Sequence, residues 1–273
     1  MREIIVGFGV HAHSTRALDW ATRLAKRQGA RVTVFNAFHP ASFEMSSEAY
    51  TDELEQRHHA IKAIMGEIGQ TDFAVVVRMG EAAEELMRYA ESSPTDLVVV
   101  GCHGSTAHGG FGERGASDRL LRHCRIPLVV VGDQATLPST DRPLTIVVGV
   151  DGSSANADSV QAIGVLAKDI GARTIPVLSV DTGASTTRDN HGSHLLHRAD
   201  RLATADRLPK TAPSAAVDDS SVQVLLDAAT EWDADLIAVG TWGDRAPIDL
   251  VDDQVARHLI DRSSRSVLVC PHP

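Results

Sequence analysis

Aromatic residues are scarce: Phe, Trp and Tyr together make up 4% of the 273 residues. The cores must therefore be built from aliphatic side chains and alanine. Cysteines number three, Cys102, Cys124 and Cys270, an odd count at wide spacing. That argues against a disulfide framework and for a reducing, cytoplasmic setting. Basic residues are outnumbered, 26 Lys+Arg against 36 Asp+Glu, for a net charge of −10 with no basic block. A protein that grips a nucleic-acid backbone shows the opposite balance. No stretch approaches the roughly 20 apolar residues of a membrane span. The opening Met1–Gly7 reads as a strand, its apolar run too short for a signal peptide. No Walker-type Gly-Lys-Ser/Thr occurs.

What the chain does have is the stretch 97–117, LVVVGCHGSTAHGGFGERGAS. The run Leu97–Val100 into Gly101 is the pattern of a strand buried on both faces. Glycines beyond it let backbone N–H groups approach a ligand closely. A helix start after them adds unpaired N–H donors and a positive dipole end, which together suit phosphate. The spacing is Gly101-x2-Gly104, nine residues, then Arg114-Gly115-Ala116-Ser117. A helix over Gly115–His123, a turn at Pro127 and a buried strand at Leu128–Val131 follow. This stretch resembles the C-terminal signature of the universal stress protein family, Gly-x2-Gly-x9-Gly-Ser/Thr. In the members that bind ATP, that loop holds the phosphates. The chain departs from the pattern where Arg114-Gly115 replaces Gly-Ser.

The rest of the chain alternates strand and helix, which predicts a parallel sheet with helices on both faces. Strands are expected at Ile4–Gly7, Val32–Phe38, Ala74–Val77, Leu97–Gly101 and Leu128–Val131. A first helix starts near Ser14 as N-cap and turns Ala17, Leu18, Ala21, Leu24 and Ala25 inward. A second runs from about Ser46 to Ile68, with Leu54, Ile61, Met65 and Ile68 on one side. Residues 133–143, polar with two prolines, read as a linker. Then the pattern restarts. Ile146–Gly149 repeats Ile4–Gly7 at an offset of 142, and Asp235–Gly243 repeats Asp96–Gly104 at an offset of 139. The middle of the second half, Thr182–Ala212, is looser, with a helix suggested only at Leu195–Leu208.

The resemblance thus covers two tandem copies, at 1–132 and 144–273. It implies two open five-stranded parallel sheets of order 3-2-1-4-5, Rossmann-like, each flanked by helices. In the family two copies pair along their last strands, so an internal pseudo-dimer is expected here, with a homodimer as a further option.

In such a sheet, ligands sit outside the carboxyl ends of the strands where the order reverses. The second half keeps Asp151-Gly152-Ser153 after its first strand, as the family does, but carries Asp252 and Asp253 in its phosphate loop. Two carboxylates repel a triphosphate unless a divalent metal intervenes. The first half keeps Gly101, Gly104 and Gly115, has Ser117 at a family hydroxyl position, and adds Arg114, which suits a phosphate. Gly9 stands where the family has Asp. The first half is the expected ATP site, formed by the backbone at Ala37 with Val100, Gly101, His103, Gly104, Arg114, Gly115 and Ser117.

Other signals compete. Gly7-Phe8-Gly9-Val10-His11-Ala12 fits a dinucleotide fingerprint, but no acid ends the second strand, where Asn36-Ala37-Phe38-His39 stands. His11, His13, Cys102, His103 and His108 follow neighbouring strands and have the ligand types of a zinc site, against the plainer reading as solvent-exposed loop histidines. Cys102, near a helix start, is a candidate for a lowered pKa, against the plainer reading as a small core thiol. No nucleophile, base and orienting group stand together, and the carboxylates scatter as on a solvated surface. The expectation is a stress-response protein that acts by binding and not by turnover, with no membrane or nucleic-acid partner. The alternatives are an interaction scaffold with decayed sites, and a weak ATPase.

Overall fold

A computed structural model describes residues 1–9, 12–38, 46–67, 73–102, 116–150, 154–178, 220–240 and 254–271. The first half runs β1 (Glu3–Gly7), α1 (Ala12–Gln28), β2 (Arg31–Phe38), α2 (Ser47–Glu67), β3 (Ala74–Met79), α3 (Ala82–Ser92), β4 (Leu97–Cys102), α4 (Ala116–His123) and β5 (Leu128–Gly132). The second half runs β6 (Thr145–Val150), α5 (Ser154–Asp169), β7 (Arg173–Leu178), α6 (Ser220–Glu231), β8 (Leu236–Gly240), α7 (Gln254–Arg262) and β9 (Ser266–Cys270).

The strands form one sheet of order β3-β2-β1-β4-β5-β9-β8-β6-β7. The first half has the expected 3-2-1-4-5 order. The second half repeats four of those positions; its expected third strand and the helix at Leu195–Leu208 fall in 179–219, outside the described residues. All pairings are parallel except β5 with β9, which run antiparallel with Val129 opposite Leu268. Those two residues are 139 apart, the offset that relates β4 to β8. The two halves are therefore related by a local twofold axis through this pair.

The sheet is buried on both faces, which explains its uninterrupted aliphatic strands. On one face Ile4, Val6, Val34, Val99, Ile146 and Val148 pack under α1, α2 and α5. On the other Ile5, Val98, Val100, Val147 and Val239 pack under α3, α4, α6 and α7. Helix α1 buries all five predicted positions and Trp20 besides. It begins at Ala12, so Ser14 lies within its first turn. Instead of capping the helix, Ser14 Oγ accepts from Gly9 N at 2.9 Å and ties the β1–α1 loop down. In α2, Ile61 and Met65 are buried as predicted, Leu54 is half-buried, and Ile68 lies outside the described residues.

Pro176 lies inside β7, where a proline would cost a ladder bond if its nitrogen faced β6. Arg173 N donates to Leu144 O on the β6 side, so alternation turns residue 176 away from β6. The missing N–H therefore costs that pairing nothing.

The connection after β5 is not a loose tether. Ala135 and Leu144 are fully buried. The Arg16 guanidinium donates to Ala135 O, and Arg27 Nη1 donates to Ser139 O at 2.5 Å and Arg142 O at 2.7 Å. Its polar composition reflects hydrogen bonding to α1.

Candidate functional site

The chain order reverses between β1 and β4, where Gly7 stands opposite Val100. In open sheets of this kind such a reversal leaves a crevice at the carboxyl ends of the strands, because their connections leave in opposite directions. Gly7 is fixed there by packing. A Cβ on it would lie 3.0 Å from Leu86 Cδ2 and Val100 Cγ1. Gly149, its counterpart, meets Leu225 and Val239 at 3.3 Å, the counterparts of those same residues. Both glycines admit a helix onto the sheet, which accounts for Gly7 without a dinucleotide.

Beyond Gly7 the chain is held against β2. Phe8 N donates to Phe35 O at 2.7 Å, and Asn36 Nδ2 donates to Phe8 O at 2.7 Å. Asn36 is 4% exposed, and its Oδ1 has no hydrogen-bond partner among the described residues. Sequence reasoning registered Asn36 only as a missing acid; its part is to pin the switch point.

The last β1–β2 pair is Gly7 with Phe35. In a strand, both backbone groups of a residue point to one side and alternate along the chain. Phe35 O faces β1, and Phe38 O accepts from Gly80 N on the β3 side. Ala37 therefore directs its N–H and C=O toward β1 at a level where β1 has ended. That is one donor and one acceptor side by side at the crevice, the pair that an adenine edge complements.

Of the residues expected beside Ala37 at the site, Val100, Gly101 and Ser117 are described; His103, Gly104, Arg114 and Gly115 lie outside the described residues. Val100 is buried, and Gly101 is half-buried at the end of β4. Ser117 Oγ donates to Gly101 O over 3.5 Å, a long bond. The start of α4 and the end of β4 thus meet at the base of the glycine loop. Asp118, in the first turn of α4, would oppose an anion there. It is 2% exposed and engaged by two guanidinium groups, Arg122 Nε at 3.3 Å and Arg257 Nη2 of the second half. Its charge is spoken for.

One expectation is corrected, and of the two readings of Cys102 the plainer one, a core thiol, holds. The carboxylates do not all lie on a solvated surface: Asp118, Asp235 and Glu3 are buried with partners. Cys102 is not activated. Burial, followed by the negative charges of Asp261 and Asp133, pushes its thiol up to about 12. That opposes the thiolate a metal or a redox sensor needs. None of the three cysteines forms a disulfide. The side chains of His11, His13, His103 and His108 lie outside the described residues, as do Asp151, Gly152, Ser153, Asp252 and Asp253. Among the described residues no group of three His, Cys, Asp or Glu is placed to hold a metal, and no helix is long and apolar enough to cross a membrane.

The model of the universal stress protein family matches the chain twice, over residues 1–132 and 144–271. The chain belongs to that family. Sixty residues are 40% identical to a universal stress protein of Mycobacterium tuberculosis strain H37Rv, covering 22% of this chain and 20% of that one. The aligned part is thus a fifth of the relative's length. A universal stress protein from Archaeoglobus fulgidus shares the fold over 99% of this chain and 96% of its own, with 13% identity and a TM-score of 0.67. Another, from Pseudomonas aeruginosa and described as a putative universal stress protein, matches over 99% and 93% at 13% identity and a TM-score of 0.59. The duplicated Gly7/Gly149 packing is therefore a feature of a tandem universal stress protein.

Proposed function

We propose that this tandem universal stress protein is a stress-response binding protein that holds an adenine nucleotide, ATP, in its first half. The observation that carries the reading is the backbone of Ala37, which offers a donor and an acceptor beside the β1/β4 switch point after β1 has ended. The base of the glycine loop, joined through Ser117 and Gly101, supports the phosphate end. Asp118, neutralised by Arg122 and Arg257, leaves the α4 N-terminus open to an anion. Gly104, Arg114 and Gly115 complete the phosphate loop, and His103 flanks it.

The protein acts by binding and not by turnover, in a reducing cytoplasm, with its two halves paired as a pseudo-dimer. The division is 1–132 and 144–273. Only the first half is assigned a nucleotide, because Asp252 and Asp253 stand in the second loop.

Mass spectrometry of the small molecules released when freshly purified protein is denatured tests this. An adenine nucleotide near one per chain is the expected result. An empty protein that also shows no heat of binding with millimolar ATP, with or without magnesium, refutes the nucleotide reading and leaves the interaction scaffold.

A further inference from the structure

The seam between β5 and β9 is apolar along its length: Leu128, Val129 and Val130 face Val269, Leu268 and Val267. Such a seam does not discriminate. Two first halves would set the same three side chains against themselves, and two second halves likewise. Yet helices α4 and α7, which lie over this seam on one face, carry charges there. Asp118 on α4 meets Arg257 on α7, 139 residues away. This is the offset between the halves, so the two residues occupy one position related by the local twofold axis. In a symmetric pairing a residue on the axis meets its own copy; here it meets the opposite charge.

One turn farther on, Arg122 pairs with Asp118 at 3.3 Å. Its counterpart, again at 139, is Asp261, one turn after Arg257 on α7, where its burial is opposed by the positive charges of His258 and then Arg257. The first half therefore reads Asp-x3-Arg and the second Arg-x3-Asp at the same places. At the centre of the quartet the Asp118 and Arg257 side chains are 3% and 19% exposed. Two first halves would bury carboxylate against carboxylate, with only the half-exposed Arg122 of each half to offset them, and two second halves would set guanidinium against guanidinium. Either arrangement costs more than the unlike pair.

We infer that this inverted charge pattern makes the β5/β9 face of each half accept the opposite half and refuse its own kind. The occupant is the unlike half of this chain. The apolar seam supplies adhesion, and the quartet supplies the choice of partner.

Full-length variants test this by thermal unfolding and native mass spectrometry. D118R sets Arg against Arg257, and R257D sets Asp against Asp118. Each is expected to melt about 6 °C or more below the parent. The quadruple inversion D118R/R122D/R257D/D261R regenerates the same quartet turned about the axis and is expected to melt within about 2 °C of the parent. Within either single variant every pairing of halves is like-charged, whereas a mixture of the two offers unlike pairs between chains. Unfolded together and refolded, D118R and R257D chains are expected to give a two-chain species containing one of each, absent when either refolds alone. Single variants that melt with the parent, or a quadruple variant that melts with the singles, overturn the inference. So does a refolded mixture no richer in two-chain species than its components. If the single variants yield no soluble protein, the quadruple variant decides alone: soluble and parent-like supports the inference, insoluble overturns it.

Discussion

Replacing Asp235 by alanine should destabilise the protein about twice as much as the same change at its counterpart, Asp96. Both aspartates precede the strand that follows α3 or α6 and accept hydrogen bonds from the start of the neighbouring first strand. Asp96 Oδ2 accepts from Arg2 N and from Glu3 N at 3.0 Å, at a partly exposed site. Asp235, 4% exposed, accepts from Thr145 N at 2.8 Å, Ser139 N at 3.2 Å and Arg142 Nη1 at 2.7 Å. Bonds to a charged acceptor contribute about 1.5–3 kcal/mol each when buried, and less at an exposed site. The surface-facing Arg142 adds at most about 1 kcal/mol. Removing the carboxylate also strands the Thr145 N–H, since Thr145 is itself buried. The low ends of these terms sum to about 3 kcal/mol for D235A, against about 1.5 kcal/mol for D96A. For a chain of this size these correspond to drops of roughly 6–12 °C and 3–6 °C in melting temperature. Paired thermal and urea unfolding of the two variants measures the ratio. A D96A variant as damaged as D235A would refute the reasoning, because it would mean that burial of the acceptor does not set the cost.

The other expectations concern packing, thiols and the loop. Gly7→Val places branched atoms where Leu86 and Val100 already stand at 3.0 Å from a bare Cβ, so a loss of about 1–3 kcal/mol is expected in urea unfolding. Gly149→Val should lose less, its neighbours standing at 3.3 Å. Native Cys102 and Cys270, with thiols pushed up to about 12, should react with a thiol reagent at pH 8 only upon unfolding, and Cys124, at about 11, should also be slow. The sign of the pH dependence follows: above pH 9 the unfolded chain loses thiol protons that the native chain keeps, so stability falls with rising pH by up to about 1.4 kcal/mol per unit for each buried thiol. A double C102A/C270A variant should flatten that slope in alkaline unfolding titrations. Ser117→Ala removes the donor to Gly101 O; ATP affinity measured by calorimetry should weaken several-fold, while melting without ligand stays within about 2 °C.

Much of the fold was legible because buried parallel strands carry a signal that needs no context. Leu97–Val100 and Ile146–Val148 are continuous aliphatic runs, and the offsets of 142 and 139 make each half a check on the other. Of the candidate site, the sequence pattern places Gly101 at a strand end and Ser117 at a helix start, and Ser117 Oγ lies 3.5 Å from Gly101 O. What sequence alone missed depends on long-range geometry. Asn36 looked like a fingerprint acid gone astray until Phe8 O was found on its amide. Asp118 looked like any surface acid, since its partner lies 139 residues away on another helix. Ser14 is the exception: it has the composition of an N-cap but lies inside the helix, and its hydroxyl serves a local partner, Gly9 N. The thiol of Cys102 was open to either reading because the helix start after it favours ionisation and burial opposes it; burial dominates.

A duplicated chain also sorts its own residues by physical role. Positions kept identical in both halves face demands that both halves share: Gly7 and Gly149 each admit a helix side chain, and Asp96 and Asp235 each hold the start of a first strand. Positions that diverge sit where the halves stop being equivalent. Gly9 against Asp151 lies after the first strand, where a ligand would be met by one half and not by the other. Asp118 against Arg257 and Arg122 against Asp261 lie over the seam, where each half faces its counterpart and a shared residue would repel itself. Divergence at the seam is therefore not decay. A homodimer with an axis through this position could not place opposite charges on it, because one residue cannot be both; joining the two copies in one chain removes that constraint. Joining the two copies in one chain thus frees each half to carry the charge that its counterpart lacks.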